Sequence, residues 1–464
     1  QHRGGLVQRR ARRQLPIVGD QIGDNVYAHS SVFILIYVVC YAPLFTISTF
    51  HNDTYITWII NPGSSGSTAS SSTGIVSNPV TCVYLMSRVA VMVEMSSEEV
   101  PSCVTAARFL NAVLATEELS LIQPSTRNLA ANVFALWMCS PLLEIQLKPH
   151  HCPWKIWASW QKLLLHYGHG SERRRARDQP VLRLQRNVFF PKHLEEGIKD
   201  SRIQELLYEE ARHNVVTGRY PLESAQAVML GGLQARIQLG PYDPHRHTAK
   251  FFREHQDKYL PKHARSGTWA RLLPAGRKGS PEAKLLEQAQ RPPAAPPRKL
   301  RHKYLAHVRM LPTYGAAFFQ GQIEQPVRSL TSLLTHEDIP VLVAINANGV
   351  YVIDDTESTV LLGLLYEELS WDMGLPYDDS EDCLPCLFLQ FMVVENGLRV
   401  SKILQVFSRQ ALMMDTLVEH FAGETRRRLG GDSPAEHNYD YHSGKINQLV
   451  GGAGSDTAKI RGRE

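Results

Sequence analysis

The first patterned segment of the chain alternates apolar and polar residues. Apolar residues take every second position on either side of a short break at residues 87–88: Val83, Leu85, Val89, Val91 and Val93. This spacing predicts a β-hairpin. Residues 104–114 have helical spacing, and residues 132–138 and 142–147 read as two more strands. Two strands, a helix and two strands predict a small α+β roll of the ubiquitin type.

A helical pattern follows over residues 201–290. Ser201 and Gln204 have the spacing of a capping box, and Asp200 adds negative charge at the same helix start. One apolar face is formed by Ile203, Leu206, Leu207 and Ala211. Further helical runs are predicted at residues 222–238, 247–259 and 281–290. Residues 291–297 hold four prolines in seven positions, which predicts an extended connector.

Residues 312–424 return to strand patterns and end in one helix. Asn348 and Gly349 lie between two apolar runs and predict a tight hairpin turn. Strands are predicted at 339–345, 350–354, 360–365, 384–394 and 403–407. The final helix has Ser408 near its start and Gly423 placed as its C-cap residue. Its apolar face carries Met413, Met414, Leu417, Val418 and Phe421. A barrel closed by such a helix is the pleckstrin-homology and phosphotyrosine-binding (PH/PTB) arrangement.

The predicted class is therefore α+β with several lobes. We place a ubiquitin-like lobe at residues 80–180, a helical lobe at 181–310 and a PH/PTB-like lobe at 311–424. Residues 1–79 are expected to be a disordered or spurious leader, and 425–464 a flexible tail. The leader holds an apolar stretch at 30–50, but Pro43 interrupts it and no Lys or Arg follows until Arg88. We do not expect it to span a membrane.

Composition narrows the function classes. The 464 residues include 43% hydrophobic and 20% charged ones, which excludes wholesale disorder and fibrous proteins. The net charge of +5 is too small to indicate nucleic acid, and no aromatic side chains are interleaved with the basic clusters. Seven cysteines at irregular spacings do not form a disulfide framework, so reduced thiols are expected.

Several segments then resemble one known family. The matching runs are NVFFP at 187–191, LLYEEARHNVVTGRYP at 206–221, MLGGLQARIQLG at 229–240, LPTYGAAFF at 311–319, VFALWMCSPLLEIQLKP at 133–149 and LLGLLYEELSWD at 361–372. Together with the lobe order they are similar to FERM domains. The resemblance implies a trefoil of a ubiquitin-like roll, an acyl-CoA-binding-protein-like helical bundle and a PH/PTB-like barrel with a C-terminal helix.

Residues that could support catalysis or metal binding are few. Cys152 follows His151, but a phosphatase loop needs an arginine six residues later, where the chain has Ala158. Cys383 and Cys386 form a CxxC motif with no second ligand pair, so neither zinc nor redox chemistry is expected. His245 and His247 are interpreted as residues of a solvated turn. We expect no enzyme activity, no catalytic residue, no metal and no cofactor.

A peptide-binding groove is the better candidate. In the third lobe an extended peptide could add to the fifth strand beside the C-terminal helix. By resemblance the strand supplies Leu369, Ser370, Trp371, Asp372 and Met373, and the helix supplies Met413, Met414, Leu417 and Val418. Some of these side chains could equally belong to the hydrophobic core of the third lobe. Trp371→Ala is expected to weaken partner binding and leave the fold intact.

Basic clusters are the second candidate. Two clusters lie near the predicted lobe boundaries: Arg173, Arg174, Arg175 and Arg177, then Arg298, Lys299, Arg301 and Lys303. They could meet the phosphoinositides of a membrane surface, or they could be solvated linker charge.

The expected function of the protein follows only from its resemblance to FERM domains. It implies a non-catalytic scaffold, cytoplasmic and peripheral at the plasma membrane, that binds the cytoplasmic tails of membrane proteins. The tails implied are those of iRhom pseudoproteases, with stabilisation of a sheddase complex at the cell surface, and a role in Wnt receptor signalling is a further association. A small-GTPase effector of the Krev-interaction-trapped type is one alternative, and a degenerate FERM phosphatase is another.

Overall fold

The computed structural model of the protein describes residues 80–94, 103–267, 275–291, 295–324, 338–376 and 383–429. The expected leader at 1–79 and the tail from residue 430 onwards lie outside the described residues.

Strands and helices are numbered along the chain. The strands are β1 Val80–Leu85, β2 Ala90–Glu94, β3 Phe134–Cys139, β4 Glu144–Gln146, β5 Val181–Arg186, β6 Ala317–Ile323, β7 Ile339–Ile345, β8 Gly349–Asp354, β9 Thr359–Leu365, β10 Ser370–Gly374, β11 Cys386–Glu395 and β12 Leu398–Phe407. The helices are α1 Ala106–Leu114, α2 Pro124–Val133, α3 Pro153–Ala158, α4 Trp160–Tyr167, α5 Glu172–Arg175, α6 Lys192–Glu196, α7 Ser201–Val216, α8 Ser224–Leu239, α9 Ala249–Glu254, α10 Gln256–Tyr259, α11 Pro281–Gln290, α12 Pro297–Arg309 and α13 Ala411–Arg428.

The first lobe comprises β1 to β5 and α1 to α5. Within the described residues its sheet has the order β2-β1-β5-β3-β4, with β1 parallel to β5 and the other pairs antiparallel. The buried residues of α1 include Phe109 and Val113. The predicted hairpin and helix are therefore confirmed. The strand predicted at 132–138 begins later, because α2 continues to Val133.

Strand β5 shows where the first lobe ends. It pairs with β1 on one side and β3 on the other, so it is the central strand of the sheet. The lobe therefore continues to Arg186, beyond the expected boundary at residue 180. Sequence spacing could not indicate this, because the partners of β5 are distant in sequence.

The second lobe comprises α6 to α12. The start of α7 differs from the prediction: the N-cap is Asp200, whose Oδ1 accepts from the backbone nitrogens of Arg202 and Ile203, both at 2.9 Å. Ser201 is already the first helical residue, and the Gln204 side chain donates to the Ile198 carbonyl at 2.7 Å. The predicted capping box is thus wrong.

A capping box does occur one helix later. In α8 it is formed by Glu223 and Gln226. Pro297 occupies the first turn of α12, a helix that was not predicted, where a proline needs no N–H partner. The extended connector predicted over residues 291–297 is therefore wrong at Pro297, and residues 292–294 of it lie outside the described part.

The third lobe comprises β6 to β12 and α13. Its described strands form one antiparallel sheet in the order β10-β11-β12-β6-β7-β8-β9. The hairpin predicted at Asn348 and Gly349 is confirmed by the pairing of β7 with β8. Helix α13 packs against β10 and β11 and also contacts β7 and β8, so it lies across the sheet from the β10 end toward the β9 end.

The predicted end of α13 at Gly423 is wrong. The helix continues to Arg428, and its C-cap is Leu429. The last turn carries Arg426, Arg427 and Arg428, whose positive charge favours the carbonyl end of a helix. The third lobe therefore includes residues assigned to the flexible tail.

One buried carboxylate joins all three lobes. Glu195 of α6 accepts hydrogen bonds from Arg186 Nε at 2.6 Å, Arg309 Nε at 2.7 Å and Tyr314 Oη at 2.5 Å. Arg186 ends the first-lobe sheet, and Tyr314 precedes the first strand of the third lobe. The three lobes are thereby held around a single charged centre.

Candidate peptide-binding groove

The candidate groove begins at a sheet edge. Strand β10 pairs with β11, from Ser370 opposite Gln390 to Gly374 opposite Cys386. Among the described strands none pairs with its other side. The outer side of an edge strand is a template for a further strand, and α13 packs beside it. This is the geometry that strand addition requires.

Four of the nine predicted groove residues belong to the core. Trp371 has 1% of its surface exposed, and Leu369, Met414 and Val418 are buried with it. Trp371 Nε1 also donates to Asp415 Oδ1 at 3.0 Å, which joins β10 to α13. Truncating a buried tryptophan leaves a cavity. This burial overturns the expectation that Trp371→Ala leaves the fold intact.

The other five predicted groove residues remain partly accessible. They are Ser370, Asp372, Met373, Met413 and Leu417. Met413 and Leu417 pack against the third-lobe core, and Met413 also contacts the core shared by the first two lobes. The backbone nitrogen of Met373 donates to the Asp372 carboxylate at 2.8 Å. These side chains, with the β10 backbone, are the surface that a peptide could contact.

Asp415 is the residue that the sequence argument missed. It lies next to Met414 on α13, and its carboxylate holds the only indole N–H of β10. The sequence did contain a signal for Asp415, because a carboxylate stands out within the apolar face of the predicted helix.

The cysteine pair does not form a reactive site. Cys383 is exposed, whereas Cys386 begins β11 and is buried. Burial raises the pKa of the Cys386 thiol to about 12, with a smaller contribution from Glu324, so the thiol stays protonated at neutral pH. Within the described residues, no group of three or more His, Cys, Asp or Glu side chains could hold a metal ion.

The histidine motifs are structural. His151 Nδ1 accepts from the Lys148 nitrogen at 3.2 Å, and burial lowers the pKa of His151 to about 4, with smaller effects of His150 and Lys148. A neutral imidazole held in this way cannot stabilise a neighbouring thiolate by charge. His247 is buried, and its Nδ1 accepts from the Asp243 nitrogen at 3.0 Å. Its assignment to a solvated turn is wrong, although His245 is exposed.

The predicted membrane-facing residues divide into two groups. Arg175 is buried and donates to the Gly170 carbonyl at 2.8 Å, and Arg301 pairs with Glu205 at 2.7 Å. Arg298 is exposed and donates to the Lys199 carbonyl at 2.9 Å. The remaining exposed residues are Arg173, Arg174, Arg177, Lys299 and Lys303. None of the described helices combines the length and apolar character that a bilayer crossing requires.

Family models match two parts of the chain. The FERM central domain matches residues 193–319, and the model described as KRIT1/FRMD8, FERM domain C-lobe matches residues 339–417. Neither describes an enzyme.

Curated relatives agree with these matches. The chain is 39% identical over 306 residues to FERM domain-containing protein 8 of Mus musculus and 40% identical over 306 residues to that of Homo sapiens. Each match covers 63% of this chain and 64% of the relative, so the chain spans less than two thirds of the length of these relatives. Talin-2 of Mus musculus is 27% identical over 190 residues, covering 40% of this chain and 7% of talin-2.

Two solved structures are similar to this chain at low sequence identity. The human myosin 7b C-terminal MyTH4-FERM domain in complex with the harmonin-a PDZ3 domain is 14% identical, with a TM-score of 0.48 over 75% of this chain and 61% of that chain. The complex of the FERM and C-terminal domains of Drosophila Merlin is 12% identical, with a TM-score of 0.44 over 76% of this chain and 98% of that chain.

The fold is a three-lobed α+β architecture in which the edge strand β10 lies beside α13. Residues 193–319 and 339–417 match models of the FERM family, and over 306 residues the chain is similar to FERM domain-containing protein 8.

Proposed function

We propose that the protein is a non-catalytic FERM adaptor that holds the cytoplasmic tail of a membrane protein between β10 and α13. The observation that carries this proposal is the edge position of β10 beside α13. Burial keeps the Cys386 thiol protonated by raising its pKa and keeps His151 neutral by lowering its pKa, so neither the CxxC motif nor the His151–Cys152 pair supports catalysis.

Binding would proceed by strand addition. The peptide backbone pairs with β10, and alternate peptide side chains point toward α13. Met373 and Met413 provide flexible, polarisable contacts that adapt to different side chains. Trp371 and Asp415 lie beneath and hold the strand and helix in place.

The partner proposed first is an iRhom pseudoprotease tail, through which the adaptor would stabilise a sheddase complex at the cell surface. Similarity to FERM domain-containing protein 8 supports this choice. The same similarity supports a cytoplasmic position at the plasma membrane and a role in Wnt receptor signalling.

A lipid contact would add to tail binding. Arg173, Arg174, Arg177, Lys299 and Lys303 are exposed and could meet anionic headgroups. Sedimentation with liposomes that contain or lack phosphoinositide tests this contact. Equal sedimentation with both liposomes contradicts it.

The groove is tested with fluorescently labelled peptides from an iRhom cytoplasmic tail and the full chain. Because Leu417 is partly accessible on α13, we expect Leu417→Ala to weaken binding about tenfold, a loss of about 1.4 kcal/mol. Thr416→Ala is the matched control, since Thr416 is the exposed neighbour on the same helix. Thermal unfolding of both variants verifies their folding. Equal affinity of both variants for every tail peptide contradicts the groove.

The two alternative functions have their own readouts. Capture of a Ras-family GTPase only in its GTP form would favour the effector, and turnover of a phosphorylated substrate would favour the phosphatase. Binding of a tail peptide, with neither GTP-dependent capture nor turnover of a phosphorylated substrate, supports the adaptor function.

A further inference from the structure

A second groove lies between the second and third lobes, away from α13. Its volume is about 510 Å³. It is lined by Pro221, Leu222, Glu223, Gln226, Met229 and Leu230 ahead of and within α8, by His307, Met310, Leu311 and Pro312 at the end of α12, and by Ser358, Thr359 and Val360 at the start of β9. Most of these side chains are apolar.

The third-lobe wall of this groove is an edge strand. In the described sheet β9 pairs with β8 and lies at the end opposite β10. Three of its apolar side chains are exposed by nearly half: Val360 by 44%, Leu361 by 45% and Leu365 by 44%. The unpaired backbone N–H and C=O groups of an edge strand are a template for a further strand, and exposed apolar side chains favour that pairing. The groove therefore offers both backbone pairing and an apolar floor.

Two lysines lie on α12 ahead of the groove, whose own lining contains no Lys or Arg. Helix α12 contains no Asp or Glu. Arg301 and Arg309 pair with Glu205 and Glu195, whereas Lys299 and Lys303 are exposed and have no acidic partner within 4.0 Å among the described residues. Lys303 lies one helical turn before His307, which lines the groove, so the two side chains share one side of α12.

The acidic groups near the groove are placed differently. The Glu223 side chain caps the start of α8 and is occupied by backbone nitrogens. Strand β8 ends at Asp354, whose carboxylate accepts from two backbone nitrogens, and the turn before β9 carries the exposed Asp355 and Glu357. Negative charge thus lies at the turn and positive charge along α12. An occupant should present acidic residues toward α12.

We propose that this groove binds an extended segment of a partner protein, with apolar residues at alternate positions and acidic residues facing α12. The segment pairs with the outer side of β9. Its apolar side chains contact Met229, Leu311 and Val360, and its carboxylates lie near Lys303.

Two labelled peptides test the proposal with the full chain. The acidic probe is Asp-Val-Glu-Leu-Asp-Val-Glu-Leu, and its basic twin replaces every acidic residue with Lys. Fluorescence polarisation should show binding of the acidic probe and little binding of the twin. Met310 is 78% exposed, so Met310→Asp should keep the fold and weaken acidic-probe binding about tenfold. Lys303→Glu should weaken the acidic probe and strengthen the twin.

Leu417→Ala is the control, because it alters the β10 groove only. Loss of acidic-probe binding in this variant, with Met310→Asp unaffected, overturns the proposal. No binding of the acidic probe, or equal binding of both peptides, also overturns it. Analytical ultracentrifugation tests whether the protein self-associates. Self-association that Met310→Asp abolishes would assign the groove to a second copy of the chain and would overturn the proposal. If Met310→Asp does not fold, the Lys303→Glu variant is the test: weaker binding of the acidic probe supports the proposal, and unchanged binding overturns it.

Discussion

Trp371 of β10 and Asp415 of α13 are joined by a hydrogen bond from the indole Nε1 to the carboxylate Oδ1 at 3.0 Å. The indole is buried at 1% exposure, so this bond and its packing fix the separation of the edge strand and the helix. The proposed tail groove lies between the same two elements. Its width is therefore set by a residue that a bound peptide cannot contact.

Trp371→Ala should destabilise the protein. Removing a buried indole leaves a cavity, and we expect the free energy of unfolding to fall by about 3–5 kcal/mol. Trp371→Phe should lower the free energy of unfolding by less, since phenylalanine retains most of the apolar volume of the side chain. Urea denaturation followed by circular dichroism measures both, with Thr416→Ala as the surface control. An unchanged transition for Trp371→Ala would contradict the burial of this residue.

Glu195→Gln should destabilise the junction of the lobes. Arg186 and Arg309 would be left buried without a negative partner, which costs about 3–5 kcal/mol. Burial opposes ionisation of Glu195, but the two arginines outweigh it and lower the pKa of Glu195 below the usual 4.5. The stabilisation is therefore present above about pH 4.5 and lost as the pH falls through the lowered value.

The measurement is urea denaturation of wild type and Glu195→Gln at neutral and acidic pH. The difference between them should shrink in acid. Glu196→Gln is the matched control, because Glu196 is the exposed neighbour on the same helix. Equal losses for the two variants would argue against the charged centre.

Glu210→Gln should have the opposite pH dependence. Burial raises the pKa of Glu210 from 4.5 to about 7, offset in part by the Arg186 backbone N–H, which donates to it at 2.6 Å. A raised carboxyl pKa lowers stability as the pH rises from about 4.5 to about 7. The variant lacks this titration, so its stability relative to wild type should improve across that range. Denaturation curves at several pH values, with exposed Glu367→Gln as control, test the sign.

Gly423→Ala should stabilise α13. Gly423 lies inside the helix, and a Cβ atom there would meet nothing within 4 Å. Alanine in a helix interior is favoured over glycine by about 0.5–1 kcal/mol. Gly397→Ala is the contrasting control, because Gly397 has a φ of 79° in the β11–β12 turn and should lose stability. A loss of stability in Gly423→Ala would instead place the helix end at Gly423.

Several local features could be predicted from neighbouring residues. The hairpin at Asn348 and Gly349 follows from turn chemistry that only a few residues determine. The apolar face of α7 follows from helical spacing, and Ile203, Leu206, Leu207 and Ala211 are all buried. The capping rule failed at α7, because Asp and Ser are similarly good N-cap residues and Asp200, not the predicted Ser201, occupies the N-cap.

Other features depend on distant contacts. The central place of β5 requires β1 and β3, which precede it by many residues. The edge positions of β9 and β10 are properties of the whole sheet, and no residue type marks them. The second groove arises only where α8, α12 and β9 meet.

The sequence by itself determined the α+β class, the local hairpins and helix faces, and the absence of a phosphatase loop around Cys152, because short-range spacing and residue chemistry encode these features. Only the tertiary structure decided which members of one apolar pattern are core and which are accessible. Trp371 and Met414 are buried, while Met373 and Met413 on the same two elements keep accessible surface. The physical reason is that burial depends on what packs against a side chain, and those neighbours come from other parts of the chain.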